Sequence, residues 1–285
     1  MISQFKGLLS DGGWGTEFQH KGAEPGECFE HWNLTQPDKV SEVAVSYVEA
    51  GSNIILTNTF GGNGLILRRH HLEDQLYDIN RAAAQICRDA AGDRAYVFGS
   101  VGPCGKLVSM DEVDADELYD AFSGQVKALE DGGVDAIVIE TMIDLGELKI
   151  AMQAIGDNTD LPFGACMTFD SGPERMNSMM GSSIEDAVDA IRLGGGCFVG
   201  ANCGTGLYEY KKVAKRLCQK SEMPVWIKPN AGIPDMIQGK IVYNQNAEQF
   251  AEEVSLFFEM GVAIFGGCCG SSPAFIRAMA DAVKK

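Results

Sequence analysis

Positive charge is scarce in this sequence. It has 23 lysine and arginine residues against 40 aspartate and glutamate residues, which gives a formal net charge of −17 at pH 7. Nucleic-acid backbones and anionic lipid surfaces are also negative, so this charge argues against binding to either of them. We therefore expect no nucleic-acid partner and no membrane partner.

Long apolar runs and linker-like segments are also missing. No stretch approaches the roughly 20 apolar residues of a transmembrane helix, and the first residues do not resemble a secretion signal. The nine cysteines, an odd number in a chain without such a signal, indicate reduced thiols in a cytoplasmic protein. With 45% hydrophobic residues and no linker, we expect one compact soluble domain, 1–285.

A dinucleotide-binding fingerprint is absent as well, because the glycine-rich turn at 11–16 does not have the GxGxxG spacing. Short runs rich in valine and isoleucine instead alternate with segments of helical spacing, such as 37–50, 74–91, 115–131, 183–193 and 247–260. This alternation predicts an α/β protein with a closed (β/α)8 TIM barrel rather than an open sheet. The eight predicted strands are 8–10, 53–56, 95–99, 135–139, 163–167, 197–201, 225–228 and 262–265.

Polar residues follow most of these strands. In a (β/α)8 barrel the carboxyl ends of all strands meet at one face, where such enzymes carry their active sites. These polar residues therefore predict an active-site rim. They are Asp11, Thr57 to Thr59, Ser100, Glu140 and Thr141, Thr168 to Asp170, Asn202 and Cys203, Asn230, and Cys268 and Cys269.

Three cysteines in glycine-rich turns are the most informative members of this set. Cys268 and Cys269 are adjacent, and adjacent cysteines are poorly suited to bridging each other by a disulfide. Together with Cys203 they predict a zinc site of three sulfurs with one open position.

Two other interpretations stay open. Cysteines are often small buried hydrophobic residues, so one interpretation is that Cys203, Cys268 and Cys269 pack in the core. The cysteines could also form a structural zinc site in a non-enzymatic barrel that binds a ligand or partner, although such sites normally have four protein ligands.

The motifs together resemble the homocysteine-binding barrel of zinc-dependent homocysteine S-methyltransferases. The resemblance runs from about Leu8 to the end of the chain and extends to the corresponding module of cobalamin-dependent methionine synthase and to betaine-homocysteine methyltransferase-like proteins. The motifs are DGGWGT at 11–16, TNTF at 57–60, GSVGP at 99–103, ET at 140–141, NCG at 202–204, PNAG at 229–232 and GGCCG at 266–270.

The resemblance implies a zinc-dependent enzyme that methylates the thiolate of homocysteine to give methionine. Zinc would be held by Cys203, Cys268 and Cys269, with Asn230 as a weak fourth ligand when substrate is absent. Asp11 and Glu140 would hold the amino group of homocysteine, and further substrate-binding residues would be Thr16, Asn58 and Ser100. Three thiolate ligands suit alkyl transfer, because they leave a bound sulfur nucleophilic. Another thiol or selenol acceptor remains an alternative.

The methyl donor is inferred from the residues that would surround it. Animal betaine enzymes surround a quaternary ammonium with aromatic residues, but this chain has Gly61 and Thr141 where those enzymes carry tyrosines. The segment 61–64 is expected to leave an open rim that suits a large donor. We therefore expect a methylated corrinoid, either carried by a separate protein or as free methylcobalamin, ahead of betaine or S-methylmethionine.

Overall fold

A closed ring of eight parallel strands forms the centre of the molecule, in a computed structural model that describes residues 5–24, 26–237 and 240–284. The strands neighbour one another in the order β1, β10, β7, β6, β5, β4, β3, β2, and a parallel bridge between Ser10 and Ile54 closes the ring. The strands are β1 (Leu8–Leu9), β2 (Ile54–Leu56), β3 (Tyr96–Val101), β4 (Ala136–Met142), β5 (Phe163–Met167), β6 (Val199–Cys203), β7 (Val225–Pro229), β8 (Pro234–Ile237), β9 (Lys240–Tyr243) and β10 (Val262–Phe265).

Helices follow the barrel strands and cover the outside of the ring. They are α1 (Trp14–His20), α2 (Trp32–Thr35), α3 (Pro37–Ala50), α4 (Gly64–Arg69), α5 (Leu76–Ala91), α6 (Ala115–Asp131), α7 (Leu145–Asn158), α8 (Ile184–Leu193), α9 (Leu207–Lys220), α10 (Ala247–Glu259) and α11 (Pro273–Val283). The predicted (β/α)8 TIM barrel is thus confirmed. Within the described residues, no helix is both long enough and apolar enough to cross a bilayer.

Several strands extend further than the sequence indicated. β3, β4 and β6 continue through residues that were expected to follow them, among them Ser100, Glu140 and Cys203. Ser100 and Cys203 keep the ladder pairing with a neighbouring strand, whereas the register between β4 and β5 shifts around Glu140. The predicted domain, 1–285, also includes residues 1–4, 25, 238–239 and 285, which lie outside the described part of the chain.

The interior of the barrel has an apolar layer below a polar one. Phe98, Phe198 and Trp226 pack together with ring centroids 5.4 to 6.1 Å apart. Side chains two residues apart on a strand point to the same face. Inside the barrel, Ser100 therefore lies above Phe98, and Lys228 lies above Trp226. This alternation places polar groups at the carboxyl ends of the strands, above a packed hydrophobic floor.

A hairpin between β7 and α10 was not predicted. Its strands β8 and β9 pair antiparallel, with Pro234 opposite Tyr243. Each strand has four residues, and such short pairs depend on contacts with the rest of the fold rather than on local preference. The hairpin brings Ile241 and Tyr243 to the mouth of the barrel.

The start of α8 offers a test of local helix stability. The Ser183 hydroxyl accepts the Asp186 N–H at 3.1 Å, and the Asp186 carboxylate accepts the Ser183 N–H at 2.9 Å, forming a capping box. Ser183→Ala should lower the free energy of unfolding by about 1 kcal/mol. Urea denaturation would measure this, with the exposed helical Ser255→Ala as the control. Equal stability of the two variants would contradict the assigned cap.

Candidate metal and substrate site

A cavity of about 350 Å³ opens at the carboxyl ends of the strands. A groove of about 470 Å³ also lies outside the barrel between α7 and α8, but it contains none of the predicted site residues. The cavity at the strand ends, by contrast, collects most of them. Its lining includes Trp14, Thr16, Phe29, Glu30, Asn58, Phe60, Ser100, Glu140, Thr141, Cys203, Lys228, Ile241, Tyr243, Cys268 and Cys269.

The three predicted zinc ligands meet at one side of this cavity. The Sγ atoms of Cys203, Cys268 and Cys269 all lie within 4.8 Å of one another. Cys203 is the last residue of β6, and the other two cysteines follow β10. Cysteines 65 and 66 positions apart in the sequence therefore form one group of thiols that could hold a metal.

Unusual backbone conformations bring the sulfurs together. Cys203 has a φ of 65°, in the left-handed region that residues with a side chain rarely adopt. Gly270 also has a positive φ, and a Cβ there would lie 2.2 Å from the Tyr243 ring. The Cys268 N–H donates to the Pro229 carbonyl at 2.9 Å, which joins the cysteine turn to the end of β7. Strained conformations of this kind cluster at functional sites.

Hydrogen bonds link the ionisation of the three thiols. Hydrogen bonds from Cys268 and Cys269 lower the pKa of the Cys203 thiol below its usual value. The same contacts with Cys203 raise the pKa values of Cys268 and Cys269. The group therefore favours one thiolate stabilised by two thiols, and a cation that binds there would favour ionisation of all three.

Asn230 connects the two cysteine turns. Its side-chain oxygen accepts the Cys269 N–H at 3.1 Å, and its amide nitrogen donates to the Gly204 carbonyl at 2.8 Å. Both ends of the amide are thus used in positioning the turns that carry the thiols. The structure places the predicted weak ligand beside the cysteines, but with its oxygen already engaged.

Glu140 is the predicted substrate carboxylate that faces the cavity. Its Oε1 accepts the Ser100 hydroxyl at 2.5 Å, and Asn202 donates to its Oε2 at 3.4 Å. Burial raises the pKa of Glu140, while the Lys228 ammonium opposes that shift. Ser100 therefore acts on the cavity mainly by holding this carboxylate in place.

Asp11 lies deeper than expected. It is fully buried, and it accepts hydrogen bonds from Lys228 Nζ at 2.9 Å, Trp14 Nε1 at 2.7 Å and the Leu56 N–H at 2.7 Å. Both carboxylate oxygens are engaged within the protein, and Asp11 is not among the residues that line the cavity. The structure thus places Asp11 beneath the site, where it contacts the two cavity residues Lys228 and Trp14.

Lys228 is a cavity residue that the sequence analysis missed. Its side chain is 4% exposed, and its ammonium pairs with Asp11. Burial disfavours its charge, but the carboxylates of Asp11 and Glu140 outweigh this effect and raise its pKa. The sequence could have identified Lys228 from its position two residues after the barrel-interior Trp226, because strand alternation points both side chains inward.

Thr16 and Asn58 line the cavity, but their polar groups are partly used within the protein. The Thr16 hydroxyl accepts the Gly270 N–H at 2.9 Å. The Asn58 amide donates to the Phe29 carbonyl at 2.7 Å and to Asn33 at 3.0 Å. These two predicted substrate residues therefore also fix the loops around the cavity.

Aromatic side chains surround the mouth of the cavity. They come from α1, from the loops around Phe29 and Phe60, and from Tyr243 of the hairpin. Phe60 is 42% exposed. The expected open rim at 61–64 is wrong, because Gly61 and Asn63 are buried and the Gly61 N–H donates to Glu30 at 2.6 Å. Glu30 was also missed, since no motif singled it out.

All nine cysteines are free thiols. Cys28 and Cys104 are buried, and burial raises their pKa values to about 12. They are therefore poor nucleophiles and poor metal ligands in comparison with Cys203.

Comparison with known sequences finds matches that extend over nearly the whole barrel. The family model for homocysteine S-methyltransferase matches residues 8–283. Methionine synthase from Mycobacterium tuberculosis is 32% identical over 298 residues, covering 97% of this chain and 24% of that protein. Methionine synthase from Mycobacterium leprae is 31% identical over 98% of this chain. The chain spans about a quarter of the length of these curated relatives.

Comparison with solved structures supports the fold. The metallated form of the homocysteine methyltransferase MmuM from Escherichia coli has a TM-score of 0.80 and 20% identity, with 96% of this chain and 95% of that chain covered. A methyltransferase from Methanosarcina mazei has a TM-score of 0.61 and 13% identity over 99% of this chain and 93% of that chain.

Proposed function

Because this chain belongs to the homocysteine S-methyltransferase family, we propose that it transfers a methyl group to the thiolate of homocysteine and so forms methionine. The observation that carries this proposal is the meeting of three cysteine sulfurs from two strand ends beside a buried carboxylate and a buried ammonium. A thiol-bearing amino acid has groups that match each of these features. We propose that residues 1–285 act together as the homocysteine-binding module.

Zinc is the metal that this set of donors fits best. Zn–S bonds are about 2.3 Å long, which places sulfurs in a tetrahedral site about 3.8 Å apart. The separations within the cysteine group, at most 4.8 Å, are compatible with that spacing after small side-chain rotations. Three thiolates without histidine also favour zinc over harder cations. We propose Cys203, Cys268 and Cys269 as the ligands, with Asn230 as a weak substrate-free ligand if its amide rotates away from Cys269.

Bound zinc would supply a positive charge that keeps the acceptor sulfur deprotonated near neutral pH. The protein's own groups hold the rest of the acceptor. We propose that Glu140 accepts hydrogen bonds from the ammonium of the acceptor amino acid. Ser100 fixes the Glu140 carboxylate, and Asp11 adds negative charge from beneath. Thr16 and Asn58 are proposed to shape the wall against which its carbon chain packs.

In the transfer itself, the electron pair of the acceptor thiolate forms the new bond to the methyl carbon. The donor keeps the electron pair of the bond that breaks. Burial of the acceptor sulfur among cysteines removes water from its surroundings, which strengthens its nucleophilic character. The same chemistry would serve another small thiol or a selenol, but an acid, Glu140, and a base, Lys228, in the cavity lining favour an amino acid.

For the methyl donor we propose a methylated corrinoid, either free or presented by a separate protein. Two relatives at 32% and 31% identity are methionine synthases, and the cavity opens at the surface of the barrel, where a bulky donor could approach. The side chains at this opening are apolar and exposed, with Phe60 at 42% and Ile241 at 51%.

One observation favours a second kind of donor. Trp14, Phe29, Phe60 and Tyr243 line the mouth together with the Glu30 carboxylate. Aromatic faces next to a carboxylate attract quaternary ammonium and sulfonium groups. Glycine betaine and S-methylmethionine therefore remain competing donors, even though the tyrosines of the animal betaine enzymes are absent.

A donor assay separates these possibilities. Zinc-loaded protein and L-homocysteine should form methionine with methylcobalamin, and at a much lower rate or not at all with glycine betaine or S-methylmethionine. Methionine would be quantified after equal incubation times, with Phe60→Ala as a matched variant. Turnover with an onium donor alone, reduced in Phe60→Ala, would replace the corrinoid proposal and leave the acceptor site unchanged.

A further inference from the structure

Lys228 lines the cavity, but the function proposed so far names no contact between this residue and the substrate. The residue pairs in register with Asn202 on the neighbouring strand β6, in the polar layer above the hydrophobic floor. Its side chain is 4% exposed. Burial of a lysine is costly unless its charge is matched, so a residue in this position needs an explanation.

Asp11 balances the positive charge of Lys228 in part. The ammonium has three N–H groups, and one of them donates to Asp11 Oδ1 at 2.9 Å. Among the described residues, this is the one hydrogen bond that the ammonium makes to another side chain or carbonyl. The buried carboxylate therefore holds the ammonium at the cavity wall and leaves N–H groups for another acceptor.

The charges on the cavity wall are arranged in a way that suits a zwitterion. Of the lining residues that the structure describes, Lys228 is the one basic residue, and Glu30 and Glu140 are the two carboxylic acids. An α-amino acid carries an ammonium and a carboxylate on one carbon. With its sulfur at the cysteines and its ammonium at Glu140, its carboxylate requires a donor on the same wall.

We propose that Lys228 binds the α-carboxylate of the acceptor amino acid and makes the site selective for zwitterionic thiols. This inference rests on the proposed function and names the residue that reads the second charge of the substrate. A carboxylate at this position would form a charge-assisted hydrogen bond with the ammonium that Asp11 orients. Acceptor thiols without a carboxylate would lack this contact but keep the contacts of their sulfur and their ammonium.

The test compares binding of two thiols to the zinc-loaded protein by calorimetry. L-homocysteine carries both charges, and 3-aminopropane-1-thiol keeps the thiol and the ammonium without the carboxylate. Lys228→Met should raise the Kd for homocysteine on the order of 10- to 50-fold and change that for the aminothiol by less than about threefold. Lys228→Arg should recover part of the loss, and the exposed Lys215→Met serves as the control.

Removal of Lys228 leaves Asp11 buried without its partner, so Lys228→Met alone could destabilise the barrel. The double variant Asp11→Asn with Lys228→Met removes both charges and keeps the volumes similar. Loss of the Asp11 charge should weaken both thiols to the same extent through their ammonium groups, so homocysteine should still lose on the order of tenfold more affinity than the aminothiol. Equal losses for both thiols in this double variant would overturn the role of Lys228. Failure of the unmodified protein to bind homocysteine would instead overturn the proposed function itself.

Discussion

Serine in place of Cys203, Cys268 or Cys269 should abolish stoichiometric zinc binding and almost all methyl transfer. Each substitution removes one of three soft ligands, and a serine hydroxyl does not ionise near neutral pH to replace the thiolate. We expect zinc content to fall from about one per chain to a small fraction. The rate should fall roughly 10²- to 10³-fold, the scale seen when a group that stabilises reacting charge is lost.

Elemental analysis and a methionine assay would measure both effects. Cys218→Ser is the matched control, because this half-buried thiol lies on α9 outside the cavity. It should retain zinc and activity. Full zinc content in all three ligand variants would rule out the site.

Removal of the metal by a chelator separates the catalytic interpretation from a structural one. The ring of eight strands has its own hydrophobic core, which includes Trp226, Phe98 and Phe198. We therefore expect the fold to survive chelation and homocysteine binding to be lost. Outright unfolding on chelation, measured by circular dichroism, would favour a structural zinc site.

Glu140→Ala should weaken homocysteine binding by about 2–3 kcal/mol, because a charge-assisted hydrogen bond to the ammonium disappears. Glu140→Gln keeps the shape and tests the charge itself. Calorimetry at fixed zinc loading would give both affinities. An unchanged Kd in both variants would contradict the assignment of Glu140 to the ammonium.

The affinity for the amino-acid ligand should also depend on pH through the ionisation of Glu140. Burial raises the pKa of Glu140, so this carboxylate takes up a proton at a higher pH than an exposed glutamate does. Only its ionised form attracts an ammonium, so affinity should fall as the pH is lowered through that raised pKa. L-methionine, which has no thiol proton, is the suitable probe. The Glu140→Gln variant should show a flatter profile, and an identical profile would exclude Glu140 as the titrating group.

The resemblance implied that Asp11 holds the substrate ammonium, whereas the structure buries Asp11 beneath the cavity. Its oxygens bind Lys228, Trp14 and the Leu56 N–H, so the groups it orients reach the cavity while it does not. The sequence could place Asp11 after the first strand. It could not reveal that a lysine from β7 would occupy the space above it, because the two residues are 217 positions apart.

The amino-acid sequence by itself determined the barrel, since apolar runs and helical spacing repeat along the chain and each unit follows local rules. It also indicated the three cysteines, because flanking glycines and adjacency are visible in the sequence. The tertiary structure alone decided which polar groups face the cavity. Closure of the ring brought Lys228 against Asp11, seated Glu30 and the hairpin residue Tyr243 at the mouth, and turned Cys203 into a left-handed conformation. Such pairings join distant parts of the chain, and they arise from burial and charge matching that no local pattern encodes.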